Sequence, residues 1–230
     1  MLRSKSRDSK DPKNADDWLR KARVRADEID FQAARAYPVL QSRTAGEDFF
    51  FIGGTYEDGD GLPQVYSEAV AWMRLGAQKG DINAEAKLGT MYAAGNGVPQ
   101  DFPQAVLWLR KAAERGHSDA EFNLAIQYLD GHGVVEDDSE AARWLRKAAE
   151  RGIADAQLQL GNLYRTGHGV PKDYAEAYFW FDLAAARLSG SDQKLASDAR
   201  DLMAEALTTQ EISDAQRKAT VWFAAHPPQH

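Results

Sequence analysis

Apolar residues recur along this chain on two length scales, at helical spacing within short segments and again every 36 residues between segments. In one stretch Ala84, Leu88, Met91 and Tyr92 fall at i, i+4, i+7 and i+8, which places them on one stripe of a helix. Asn83 has the residue type of a helix N-cap, and Asp119 and Asp155 take its place further on. Gly95-Asn96-Gly97 then stops the pattern, because glycines supply the left-handed backbone a helix end needs. Val98-Pro99 turns the chain, and Asp101 restarts it with Gln104 three residues on, the spacing of a capping box. Asp137 with Glu140 and Asp173 with Glu176 repeat that spacing. A second stripe follows in Ala105, Trp108, Leu109, Ala112 and Ala113, and Gly116 closes it. The pattern predicts a helical hairpin.

The hairpin is written four times. Tyr56, Tyr92, Tyr128 and Tyr164 are evenly spaced, and so are Trp72, Trp108, Trp144 and Trp180. The glycine pairs Gly59/Gly61, Gly95/Gly97, Gly131/Gly133 and Gly167/Gly169 keep the same step, and WLRKAAERG occurs twice, at 108–116 and 144–152. A hairpin of this size cannot bury its own apolar face, whereas stacking on a neighbour buries it. The sequence therefore predicts an all-α, right-handed α-solenoid of stacked helical hairpins, with 36-residue units at 48–83, 84–119, 120–155 and 156–191. In WLRKAAERG the Trp and Ala residues are expected to face the next unit and the Arg and Lys residues to face water.

AEAKLGTMYAAGNGVPQDFPQAVLWLRKAAERG (84–116) and AQLQLGNLYRTGHGVPKDYAEAYFWFDLAAA (156–186) resemble the Sel1-like repeat, a relative of the tetratricopeptide repeat. The likeness runs over 48–191. It weakens in the outer units, with Asp48 for Ala, Leu62 for Val, Val65 for the capping Asp and Leu188 for the closing Gly; unit three has Val135 where the loop proline belongs. Outer units with one unpartnered face require such changes. The resemblance implies an adaptor or scaffold of the kind found in signalling, protein quality control and bacterial contact with hosts.

The flanks read as caps. Residues 15–47 form an N-terminal capping region, with Trp18, Ala22, Ala26, Ile29 and Ala33 on one helix face and Pro38 ending it. Residues 192–225 form a C-terminal capping helix pair. Its first helix places Leu195, Ala199, Leu202 and Ala206 on one face, and its second starts at Thr208 with Glu211 and carries Ile212, Ala215, Ala219 and Trp222. Residues 1–14 read as a disordered basic tail.

Charge narrows the partner. The net charge is −7, but residues 1–25 hold nine Lys and Arg against four Asp and Glu, which leaves −12 on the rest. An acidic body repels phosphate, so no nucleic-acid partner is expected. No apolar run approaches the roughly 18 residues of a membrane span. The basic start lacks the apolar stretch of a signal peptide, so the chain as given reads as cytoplasmic, or periplasmic or secreted if a leader has been removed.

Candidate chemistry is sparse. There is no cysteine, hence no disulfide, thiolate nucleophile or Zn–thiolate site. His132 and His168 stand between paired loop glycines, where Asp60 and Asn96 stand in other units. One repeat apart, they lie too far from one another to share an ion, and a turn residue tolerating positive φ is the simpler reading. Glu57-Asp58-Gly59-Asp60-Gly61 lacks the later ligands of a calcium loop. No phosphate loop, nucleophile elbow or His-Glu-x-x-His motif is present. No cofactor, metal or catalytic residue is predicted.

The expected function is a non-enzymatic interaction module, a monomer that holds a protein or peptide on the concave surface lined by the first helix of each unit. By analogy with related repeats, that surface presents Gly54, Glu57 and Asp58, then Thr90, Ala93 and Ala94, then Ile126, Leu129 and Asp130, then Asn162, Arg165 and Thr166. Unlike the framework residues, these do not repeat. The order of charge, acid at Glu57 and Asp58 and base at Arg165, predicts a partner with the complementary order. An immunity or inhibitor protein that blocks an enzyme or toxin is an alternative, and a small-ligand-binding regulator or enzyme is a further one.

Overall fold

The computed structural model describes residues 50, 53–54, 57–58 and 66–226. The predicted basic tail, the helix over 15–36 and the first glycine pair lie outside the described residues. Those described form nine helices and no strand: α1 (Tyr66–Gln78), α2 (Ile82–Ala94), α3 (Phe102–Glu114), α4 (Ser118–Asp130), α5 (Asp138–Glu150), α6 (Ala154–Thr166), α7 (Tyr174–Ala185), α8 (Gly190–Ala204) and α9 (Thr209–Ala225). The fold is an all-α solenoid of helical hairpins. The chain divides into two compact units, one running to Glu85 with Asn96–Pro99, the other made of Ala86–Gly95 and the chain from Gln100 on.

In the first unit α1 buries Ala69, Val70, Trp72, Met73 and Ala77. Asp81 caps the start of α2, its Oδ1 accepting from the Ala84 N–H at 2.7 Å.

In the second unit the helices from α3 to α8 each pack on the next, and α9 packs on α7. The framework residues are the buried ones: Ala120 and Ala156, and likewise Leu88, Leu124 and Leu160, are all 0% exposed, as is Ala84 of the first unit. The duplicated nonapeptide is the body of α3 and α5. Trp144 is 3% exposed, with Arg143 and Lys147 each 4.2 Å from its ring centre, while Trp108 is only half-buried.

The aspartates cap the second helices. Asp101, Asp137 and Asp173 each accept from backbone N–H groups of the first turn of α3, α5 and α7. Such caps are worth about 1 kcal/mol each. Their own N–H groups donate to the carbonyls of Tyr92, Tyr128 and Tyr164 at 3.0, 3.1 and 2.9 Å, which closes each hairpin loop. The reciprocal half of the box is absent at all three, because those tyrosine carbonyls take the aspartate N–H groups; Glu140 binds Arg143 and Glu176 binds Lys218. Thr208 and Glu211 make the full box at α9.

Other expectations are corrected. Asn83, Asp119 and Asp155 are not caps. The helices start earlier, at Asp81, His117 and Ile153, and the two aspartates strengthen the first turn, where the helix dipole favours negative charge. His132 and His168 do not take positive φ, since no described non-glycine residue does. The glycines beside them absorb the turn. A Cβ on Gly133 would lie 2.4 Å from the carbonyl of Phe102, and one on Gly169 would lie 2.2 Å from that of Asp138. The second loop glycine thus rests on the start of the preceding unit's second helix. His132 stacks on Phe102 at 4.3 Å. In α8 the predicted apolar stripe is not the buried one: Ala196 and Met203 are buried, and Leu195 and Leu202 are exposed.

Candidate functional site

The outward residues of α2, α4 and α6 occupy matching register positions, as Thr90, Ile126 and Asn162, then Ala93, Leu129 and Arg165, then Ala94, Asp130 and Thr166. All are exposed or half-buried, in contrast with the framework beneath them. The Thr90 hydroxyl donates to the Lys87 carbonyl of its own helix at 2.8 Å, and the Ala93 carbonyl accepts from the Gln100 side chain at 2.9 Å. On α6, Arg165 reaches the Asn162 side-chain oxygen at 3.4 Å, and the Thr166 hydroxyl donates to the Asn162 carbonyl at 2.9 Å. Asp130 is half-exposed, 3.8 Å from the His132 ring nitrogen. Glu57, half-buried, and Asp58, exposed, belong to the other compact unit, as does the half-buried Gly54.

Polar links hold these helices in place. Arg110 of α3 donates to the Tyr128 hydroxyl of α4 at 2.6 Å, and Arg146 of α5 donates to the Tyr164 hydroxyl of α6. The arginines of the nonapeptide therefore bridge to the next hairpin rather than facing only water. Burial pushes the Tyr164 hydroxyl pKa up, against the opposing pull of Arg146.

Glu121 was not foreseen from sequence. Its side chain is 1% exposed at the start of α4 and is held by Arg151 from α5 at 3.1 Å. Burial raises its pKa, and the charges of Arg151 and Lys147 counter that only in part. Gln157 stands one repeat on, also buried, and its amide donates to the Ala149 carbonyl at 3.1 Å. The signal available in the sequence was this polar residue next to the framework alanine in each of three units.

Two clefts lie in the second unit. One, of about 340 Å³, contains Glu121, Arg115 and Arg151. The other, of about 600 Å³, lies between α5, α6, α7 and α9, with Tyr164, Phe179, Trp180 and Trp222 in its walls. No histidine lines either cleft. Among the described residues no three His, Asp or Glu side chains are close enough together to hold a metal ion, and no helix is long and apolar enough to cross a membrane.

The Sel1 repeat model matches residues 50–81, 82–117, 118–153 and 154–187, more than half of the chain. The chain belongs to the Sel1 repeat family. Among solved structures it is similar to a protective antigen of uropathogenic Escherichia coli strains that displays an SLR fold, at 30% identity and a TM-score of 0.70, over 94% of this chain and 42% of that one. It is also similar to a Sel1 repeat protein from Oxalobacter formigenes, at 30% identity and a TM-score of 0.63, over 74% of this chain and 73% of that one. The chain thus spans less than half the length of the uropathogenic antigen. No curated protein matches it. Sel1 repeats are generally protein-interaction modules.

Proposed function

We propose that this Sel1 repeat chain is a non-catalytic adaptor that binds a protein or peptide on the outward face of α2, α4 and α6, through Thr90, Ala93, Ala94, Leu129, Asp130, Asn162, Arg165 and Thr166. One observation carries the reading. The framework leucines and alanines repeat and are fully buried, while the three outward register positions described above change from one repeat to the next. Packing asks for sameness, and recognition of a particular partner asks for difference along the surface. The face carries Asp130 on α4 and Arg165 on α6, so it favours a partner whose charges run in the opposite order.

The test is affinity capture from lysate of the source cells with the wild-type chain and an Asp130→Ala/Arg165→Ala variant of equal melting temperature. A protein retained by the wild type and lost by the variant is expected. Identical captured proteins on both would remove the face from consideration.

A further inference from the structure

The repeat register continues past residue 187, where the family match ends. Gln157 donates to the Ala149 carbonyl, and 36 residues on Gln193 donates to the Ala185 carbonyl at 3.2 Å. Leu160 and Ala196 are equivalent and both fully buried. The Arg146–Tyr164 link maps onto positions 182 and 200, where Arg200 donates to Asp182 at 3.1 Å. The contact is kept, and donor and acceptor have changed helices. In α9, Thr208 takes the place of the capping Asp173, Glu211 that of Glu176, and the buried Ala215 and Ala219 those of Trp180 and Ala184. The repeat register thus runs on through α8 and α9, and both of these helices pack on α7.

This equivalence extends the interaction face. Asn162, Arg165 and Thr166 of α6 correspond to Asp198, Asp201 and Leu202 of α8, and Gln159 corresponds to Leu195. Leu195 and Leu202 are 56% and 52% exposed and stand two helical turns apart on one stripe. Single exposed leucines are ordinary, but here Leu202 takes the register position of Thr166 in the proposed binding face, and Leu195 extends the same stripe by two turns. Carboxylates of Asp198, Asp201 and Glu205 border that stripe on one side. Lys194 pairs with Asp198, and Arg200 pairs with Asp182 and Asp201, so two of these carboxylates are partly offset and the border keeps only a small net negative charge.

We infer that α8 is the apolar anchor of the partner face, and that it seats a peptide segment with a bulky aliphatic or aromatic side chain flanked by Lys or Arg. The inference rests on the interaction-module reading above. The acidic border selects for basic flanks, and it opposes a second copy of this chain, whose α8 would bring the same carboxylates against these.

The experiment is selection from a library of random displayed peptides on the full-length chain, followed by affinity measurements with a synthetic copy of an enriched peptide. Enriched peptides are expected to share a bulky apolar residue beside Lys or Arg. The copy is expected to lose about tenfold or more in affinity for a Leu195→Ser/Leu202→Ser variant, and to bind more weakly as salt rises. Melting of that variant should match the wild type. Enrichment of acidic or wholly polar peptides, or equal affinity for the variant, overturns the inference. A peptide lost by Asp130→Ala/Arg165→Ala but kept by the leucine variant leaves the interaction module standing and removes the α8 anchor. No enrichment, or indifference to both variants, removes both. Self-association in sedimentation that the leucine variant abolishes would assign the stripe to a second copy, and that also overturns it.

Discussion

The seam between α5 and α6 and the seam between α7 and α8 make corresponding contacts with different chemistry. The connection between α5 and α6 is Arg146 on Tyr164, and between α7 and α8 it is Arg200 on Asp182. In α5, Trp144 and Leu145 fill the core; in α9 the buried residues are Ala215 and Ala219. In α6 the outward positions are polar, whereas in α8 two of them are leucines. Position in the stack is thus set by a few links that survive substitution. The apolar content is free to move from the seam, where it holds units together, to the surface, where it meets something else.

The comparison is broken most severely at the core of the regular hairpin. Trp144→Ala removes a nearly buried indole flanked by two cationic side chains, and is expected to cost about 3–5 kcal/mol in chemical denaturation. A loss below about 1 kcal/mol would mean that the repeat seam is not where the stability lies. Gly169→Ala comes next. Its φ of +68° and the 2.2 Å approach to the Asp138 carbonyl predict a loss of about 2–3 kcal/mol, while Gly190→Ala, with open space around it, should show only the cost of its backbone angle.

The swapped link sharpens the comparison. A double-mutant cycle on Asp182→Ala and Arg200→Ala is expected to give a coupling of about 1 kcal/mol, since both side chains are about three-quarters buried. Zero coupling would show that the contact between α7 and α8 is incidental.

Acidity separates two kinds of glutamate. The raised pKa of Glu121 means that the fold favours its protonated form. That contribution is full below the ordinary glutamate value and is lost as pH rises through the raised one. Glu140, held down by its hydrogen bonds from Arg143, has the opposite sign, contributing above the ordinary value and losing that contribution on acidification. Glu121→Gln, which copies the residue of the next repeat, should therefore lessen the decline in melting temperature between mildly acidic and neutral pH. An unchanged profile would relieve Glu121 of that role. The smallest effect is expected at Asp130→Ala, within about 0.5 kcal/mol of wild type by thermal melt, because its half-exposed side chain supports no packing.

Most of the framework was legible because its causes are local and repeated. Trp144, Leu124 and the capping Asp137 each answer to a period or a turn rule visible in the letters. The helix starts were misread by two residues because Asp119 and Asp155 are good residues for a first turn as well as for a cap, and only the backbone separates the two roles. Helix α8 was misread for a different reason. Its leucines and its Ala196–Met203 pair form neighbouring stripes, and hydrophobicity alone ranks the larger residues as core. The step of 36 residues from Gln157 to Gln193 carries the register on, but Met203 and Glu205 stand where the loop glycines would continue it. The buried Glu121 follows from no periodic rule, since its charge is countered from another helix, by Arg151 thirty residues away and by Lys147.

The close seating of Gly133 and Gly169 on the helix behind them bears on how such a chain can change its length. Where each loop must arrive at a fixed point on the unit before it, an extra residue within a unit unseats that loop, while a whole additional unit leaves every seat intact. The caps Asp101, Asp137 and Asp173 keep an equal step, and the step shortens by one only at Thr208, beyond the last seated glycine. Growth by duplication of entire units, with freedom to drift where no glycine is seated, is the inheritance this joint permits.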